Sequence, residues 1–169
     1  MKNKIETDRL FLRELQISDA LFIFELLNSE GWLKYIGDRK IATIMDAENY
    51  IINGPILNYK TNGFGLWLVL EKTKQIPIGI CGLLKRDYLE YLDIGFAFLP
   101  KFYGNGYALE ASKATCSFAE NKLNINKLMA IVQSNNLRST RLLEKLGFNF
   151  LEKREINSEM LDVYLKTGN

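Results

Sequence analysis

Gly104 and Gly106 could do phosphate chemistry, because of where they fall in the stretch Pro100-Lys101-Phe102-Tyr103-Gly104-Asn105-Gly106-Tyr107-Ala108-Leu109-Glu110-Ala111. The apolar run 91–99 stops at the proline, and a long helical pattern begins at Gly106. This order predicts a strand, a glycine-rich turn and an open helix N-terminus. Such a terminus offers unpaired backbone N–H groups and the positive end of a helix dipole. The amides of residues 104–108 can face a phosphate or diphosphate only where no side chain blocks the approach, which is a reason for glycine at 104 and 106. A charge at a helix N-terminus contributes about 0.3–2 kcal/mol. Each N–H bond to a charged acceptor adds roughly 1.5–3 kcal/mol before desolvation.

The remaining chemistry is bounded by an absence. The chain has no histidine, which excludes a Ser-His-Asp triad, a Cys-His pair and every His-x-x-x-His zinc site. Proton transfer falls to Asp, Glu, Tyr, Lys, Cys, Ser or the substrate itself. Cys81 and Cys116 lie far apart in apolar segments and read as small core residues. No metal is expected.

These residues need a scaffold, and 169 residues suffice for a single domain over 1–169. Hydrophobic residues make up 47% and charged residues 25%, the balance of a globular protein with a core. With 22 basic and 20 acidic side chains, the net charge of +2 is too even to favour nucleic acid or a membrane surface. No apolar run reaches the ~18 residues of a membrane span. The first residues carry no apolar signal core, so a cytoplasmic protein is expected.

Residues 9–15 alternate and predict a first strand, with Leu10, Leu12 and Leu15 inward. Ser18-Asp19 should cap a helix to about Asn28, with Leu21, Phe22, Phe24, Leu26 and Leu27 on its apolar face and Gly31 as its stop. Residues 32–39 read as a loop. A second helix, from Thr43 or Asp46, should end near Gly54-Pro55. Strands are predicted at 64–71 and 76–84, joined by a polar turn, and at 91–99. The helix 106–123 repeats Leu109, Cys116, Ala119 and Leu123 at helical spacing. A fifth strand at 127–132 follows, then a helix at 137–146 capped by Asn135 or Asn136 and closed by Gly147. Segments 148–155 and 160–166 form a final hairpin. The order gives an α+β fold with a mixed, mostly antiparallel seven-stranded sheet, and a parallel pair across the unit 91–132.

Two familiar phosphate turns fit poorly. A P-loop needs Gly-Lys-Ser/Thr at its end, where this chain has Gly106-Tyr107-Ala108. A dinucleotide turn needs a third glycine at the position of Leu109 and an acidic residue about 20 residues on. That later region reads Leu123-Asn124-Ile125-Asn126.

The segment Tyr103-Gly104-Asn105-Gly106-Tyr107-Ala108 instead resembles the acetyl-CoA turn of the GNAT acetyltransferase superfamily, Gln/Arg-x-x-Gly-x-Gly/Ala, with Tyr103 in the first position and Gly106 and Ala108 matching. The aromatic first position, with Tyr107, Glu110 and Ala111 after it, is similar to the branch of ribosomal-protein N-terminal (alanine/serine) acetyltransferases. Thr7-Asp8-Arg9-Leu10, then Leu12-Arg13 and Asp19-Ala20, resemble that branch's opening. Asn136-Leu137-Arg138-Ser139 and Leu142-Leu143-Glu144-Lys145-Leu146-Gly147-Phe148 resemble its second signature.

The resemblance implies an acyl-CoA N-acyltransferase-like fold with helices on both sheet faces and two splayed central strands. It implies acetyl-CoA as co-substrate, its diphosphate on residues 103–108 and its pantetheine arm along the backbone of Phe96 and Phe98, like an added strand. Amides aimed at the thioester oxygen would stabilise a tetrahedral intermediate. Asn136 is implied as a partner of the pantetheine amides, or is only a helix cap. Ser139 is implied near the sulfur as the acid, or is only a solvated serine. The family's usual tyrosine acid falls at Leu143, which donates no proton. Asp93, near the splay and alternating with the small Gly95 and Ala97, is the favoured base, with Glu14 and Glu90 as rivals. Trp32 and Tyr35, with Ile36 and Arg39, should line the acceptor pocket or close the core beneath it.

The expected activity is transfer of acetyl to a primary amine, on a small molecule or a peptide, by a monomer or homodimer. Deprotonating an α-amine at pH 7 costs about 1 kcal/mol and a lysine about 4–5 kcal/mol, so a lightly equipped site favours the former. A non-catalytic acyl-CoA sensor or scaffold is the alternative, and a nucleotide-binding domain ranks third.

Overall fold

The chain runs β1 (Lys4–Glu6), β2 (Leu10–Glu14), α1 (Ala20–Leu27), α2 (Glu30–Tyr35), α3 (Ile44–Ile51), α4 (Leu57–Asn62), β3 (Leu66–Glu71), β4 (Ile76–Leu84), β5 (Asp93–Phe98), α5 (Tyr107–Leu123), β6 (Lys127–Gln133), α6 (Leu137–Lys145), β7 (Asn149–Ile156) and β8 (Glu159–Thr167). This is a computed structural model, and it describes residues 4–168. The strands form one sheet in the order β1-β2-β3-β4-β5-β6-β8-β7. All neighbours are antiparallel except β5 and β6. The mixed α+β architecture agrees with the sequence, but the sheet has eight strands rather than seven. The additional strand, β1, is three residues long, too short for alternation to show, and it pairs Ile5 with Leu12.

Helices cover both faces. Trp67, Ile78, Phe98, Ala111, Ala119, Leu143 and Phe148 belong to the core on the α5–α6 side. Ile23, Leu26, Trp32, Ile51, Leu68 and Ile80 belong to the core under α1–α3. Both cysteines are buried. Leu10, Leu12 and Leu15 point inward as expected, whereas Leu21 stays 71% exposed. No helix among the described residues is long and apolar enough to cross a membrane.

Two helix boundaries differ from the sequence reading for local reasons. Gly31 does not end α1. That helix stops at Asn28, and Gly31 lies within α2, so Trp32 and Tyr35 are helical rather than in a loop. Pro55 does not end the second helix. Residues Ile52–Ile56 widen into a π turn around buried Pro55, and α4 continues to Asn62. A wider turn sets the proline ring away from the carbonyl behind it and asks no N–H of it. Gly63, at φ 77°, then closes the helix in the left-handed region.

The sheet opens where the chemistry is expected. β5 pairs with β4 from Asp93 opposite Leu84 to Phe98 opposite Gly79. β5 and β6 share only the pair Asp93 and Met129, where the Met129 N–H donates to the Leu92 carbonyl at 2.8 Å. Beyond it the two strands diverge as a wedge. Gly82 helps position β4 there: a Cβ would collide with the Gly65 carbonyl oxygen and lie 2.7 Å from Leu66 Cα. Both obstacles are backbone and cannot swing aside. Gly82→Ala is expected to lower stability by about 1–3 kcal/mol, the usual cost of overpacking, read as a drop in the urea midpoint at unchanged m-value.

Candidate functional site

Asn136, Ser139, Phe96, Phe98 and Asp93 all line one cavity of about 800 Å³ at the wedge, together with Trp32 and Tyr35 on α2. That volume is in the range of cofactor clefts. Tyr103 and Ala108 also line it, at the end nearest the glycine turn. The wedge therefore gathers residues from segments spread over most of the sequence.

Backbone direction follows from one bond. The Leu99 N–H donates to the Ile78 carbonyl at 3.0 Å, toward β4. Alternation then turns the N–H and C=O of Ala97 and Gly95 toward β4 and those of Phe96 and Phe98 away from it, into the wedge. The Phe98 ring is buried in the α5-side core and Phe96 packs against the same core. Only their backbone is left to meet a ligand.

At the turn, Gly104 and Gly106 take φ 79° and 77°, the left-handed region that glycine enters without strain. Among the described residues, no acceptor takes the N–H groups of residues 104–108. The first α5 backbone bond runs from the Glu110 N–H to the Gly106 carbonyl at 3.0 Å. The Asn105 side chain folds back on the Phe102 and Tyr103 carbonyls, both at 3.2 Å. The Tyr107 ring meets Phe102 edge-on, 6.5 Å between centroids. These two side chains hold the turn, and what they offer a ligand is backbone.

The opening motif buttresses the same turn. Glu110 accepts from the Thr7 hydroxyl at 2.6 Å, from the Arg9 backbone N–H at 2.9 Å and from Arg9 Nε at 2.7 Å. Arg9 Nη1 then donates to the Asn105 carbonyl at 2.9 Å, and its guanidinium lies 4.7 Å from the Tyr107 ring centroid. The Arg9 and Thr7 contacts hold the Glu110 carboxyl below the usual range against the opposing effect of burial. The sequence shows Thr7, Arg9 and Glu110 as separate signatures, and the fold makes them one clamp.

Asp93 is 1% exposed, and both its oxygens accept from Arg86 Nε, at 3.0 and 3.1 Å. Burial pushes its carboxyl up to about 6 although Arg86 pulls the other way. A carboxylate tuned toward neutrality can take a proton near physiological pH. Arg86 Nη1 in turn donates to the Tyr88 hydroxyl at 2.7 Å. The rivals lie elsewhere: Glu90 is an exposed partner of Arg154 at 3.0 Å, and neither Glu90 nor Glu14 lines the cavity.

Asn136 caps α6, its side-chain oxygen accepting from the Ser139 N–H at 3.2 Å. Its Nδ2 donors and the Ser139 hydroxyl have no protein partner among the described residues. Leu143 is buried in the same wall. Tyr103 spans the groove. The Arg138 guanidinium stacks 4.0 Å from its ring centroid, and its hydroxyl occupies the space a Cβ on Gly31 would need. Sequence reasoning missed Arg86, Tyr50, Tyr88 and Arg138. The first three stand in segments without a motif, and Arg138 takes its role from Tyr103, 35 positions away in sequence. Among the described residues no cluster could hold a metal ion.

The profile of the acetyltransferase (GNAT) domain matches residues 9–149. The uncharacterized protein YkkB of Bacillus subtilis is 29% identical over 152 residues, covering 88% of this chain and 87% of its own. The uncharacterized N-acetyltransferase YoaA of the same organism is 29% identical over 146 residues, covering 85% and 81%. In fold, the chain is similar to the ribosomal L7/L12 α-N-protein acetyltransferase RimL in complex with coenzyme A, with a TM-score of 0.84 and 14% identity over 98% of each chain.

Proposed function

The chain is an N-acetyltransferase of the GNAT family, and we propose that it moves an acetyl group from acetyl-CoA to a primary amine by direct attack in a ternary complex. The observation that carries this reading is the wedge. Its open edge on β5 runs toward the unpaired amides of residues 104–108, with Asp93 and Ser139 lining the same cavity.

The coenzyme diphosphate would rest on the amides of residues 104–108, at the positive end of α5. The pantetheine arm would pair with the exposed backbone of β5 like a strand, with Asn136 Nδ2 meeting one of its amides. The amine nitrogen attacks the thioester carbonyl carbon, a C–N bond forms, and the carbonyl electron pair moves onto oxygen. Donors from the open β5 backbone stabilise that oxyanion. Collapse breaks the C–S bond, the amine proton goes to Asp93, and the thiolate takes a proton relayed through the Ser139 hydroxyl, which regains one from solvent. Leu143 in the cavity wall has no proton to give, whereas Ser139 on the same helix has a hydroxyl.

Coenzyme release measured over a panel of primary amines tests the reading. Turnover on at least one amine is expected, and tight acetyl-CoA binding without turnover on any would favour a sensor. Ser139→Ala is expected to lower kcat about tenfold at unchanged coenzyme affinity. The effect is modest because a thiol of pKa about 8.5 leaves with little help.

A further inference from the structure

Beyond the coenzyme end, the same cavity continues between α2, α3 and the segment after β4, and its wall there has an uneven chemistry. Arg39, Arg86, Tyr35, Tyr50 and Tyr88 line it. Burial pushes the Tyr50 phenol up while the Arg39 and Arg86 guanidiniums pull against it, so both cations lie within electrostatic reach of one hydroxyl. Arg86 is committed to Asp93. Arg39 has no carboxylate partner among the described residues. The adjacent Asp38 is taken by Lys40, through its backbone N–H at 2.7 Å and Nζ at 2.9 Å.

Trp32, on the same wall, is 5% exposed, and its indole N–H is buried without an acceptor among the described residues. The Tyr50 hydroxyl makes no hydrogen bond to protein among the described residues. This end thus presents a phenol and an unpaired guanidinium as donors. Its buried carboxylate, Asp93, is already neutralised. The other lining carboxylate, Glu159, is exposed at the start of β8, where water screens it.

Resting on the acetyltransferase reading above, we infer that the acceptor amine carries its own carboxylate, which Arg39 receives beside Tyr50 while the amine points back toward Asp93. Guanidinium and carboxylate match as a bidentate pair. The same wall works against polyamines, whose second ammonium would meet Arg39 beside an acid, Asp93, that Arg86 already holds. Specificity here has an attractive and a repulsive half.

The test compares free amino acids, and dipeptides with an acidic second residue, against their isosteric carboxamides and a polyamine. Coenzyme release is measured for the intact protein, for Arg39→Gln and for Arg39→Lys. The intact protein is expected to favour carboxylates at least tenfold in kcat/KM. Arg39→Gln should remove the preference through KM, and Arg39→Lys should restore part of it. Equal use of carboxamides or polyamines by the intact protein, or an undiminished preference in Arg39→Gln, overturns the inference. Which carboxylate arm is preferred separates a free amino acid from a peptide source. Calorimetry of the same compounds on the coenzyme-loaded protein gives a readout without turnover. Arg39-dependent carboxylate binding with no acetylation would keep this site and sink the transfer reading, and no such binding would sink the site.

Discussion

Asp93→Asn is expected to lower kcat by about 10²–10⁴-fold, the span of a lost general base, with coenzyme affinity unchanged. The side chain keeps its shape and its place at the single β5–β6 pair, so the wedge survives. It loses the ability to accept the amine proton. In the intact protein the carboxyl titrates at about 6. Below that pH it is protonated and idle, which should add a fall of up to about tenfold per pH unit in kcat/KM to the slope of the amine. The asparagine variant should lack this limb and retain only the slope of the amine itself. Stability supplies an independent check. The folded value lies above the ordinary carboxylate value of about 3.9, so between these two pH values the folded state holds more protons than the unfolded one. The unfolding free energy therefore declines as pH rises through that window. The asparagine variant should not show the decline in urea titrations. An unchanged rate limb near pH 6 in Asp93→Asn would remove Asp93 from the mechanism.

Gly106→Val is expected to weaken coenzyme binding at least 30-fold, the second large effect. Gly106 sits at φ 77°, where a β-branched residue is strained, and its Cβ would press toward Arg9 Nη2 at 3.4 Å. The turn can relieve that strain only by rotating its amides, and the Thr7–Arg9–Glu110 clamp resists the rotation. Calorimetry with coenzyme A reads the loss. Gly104→Val should also weaken binding, through its φ of 79° alone, since a Cβ there meets nothing within 4 Å. Undiminished affinity in both variants would move the diphosphate away from this turn.

Much of this was legible because it is local. Strand alternation, the Asn136 cap and the glycines at 104 and 106 each depend on neighbours in sequence. What was not legible depends on meeting at a distance. Arg86 follows β4 in a polar stretch with no motif, and its role exists only because β5 returns Asp93 beside it. Tyr103 reads as a variant first residue of a coenzyme turn. Its place between Arg138 and Gly31 requires α2 and α6 to face each other. Pro55 misled for a different reason. The rule that proline ends a helix assumes ordinary pitch, and one widened turn lifts that assumption. The strand β1 escaped because its three residues become a strand only by borrowing the edge of β2.

The unfinished seam between β5 and β6 has a thermodynamic consequence. A coenzyme arm lying there, as proposed, would complete the protein's own ladder, so occupancy and folding would draw on one free energy. Ligand at 100 times its dissociation constant would add about 2.7 kcal/mol to the folded state. Cellular acetyl-CoA would then govern how long the polypeptide endures as well as how fast it works.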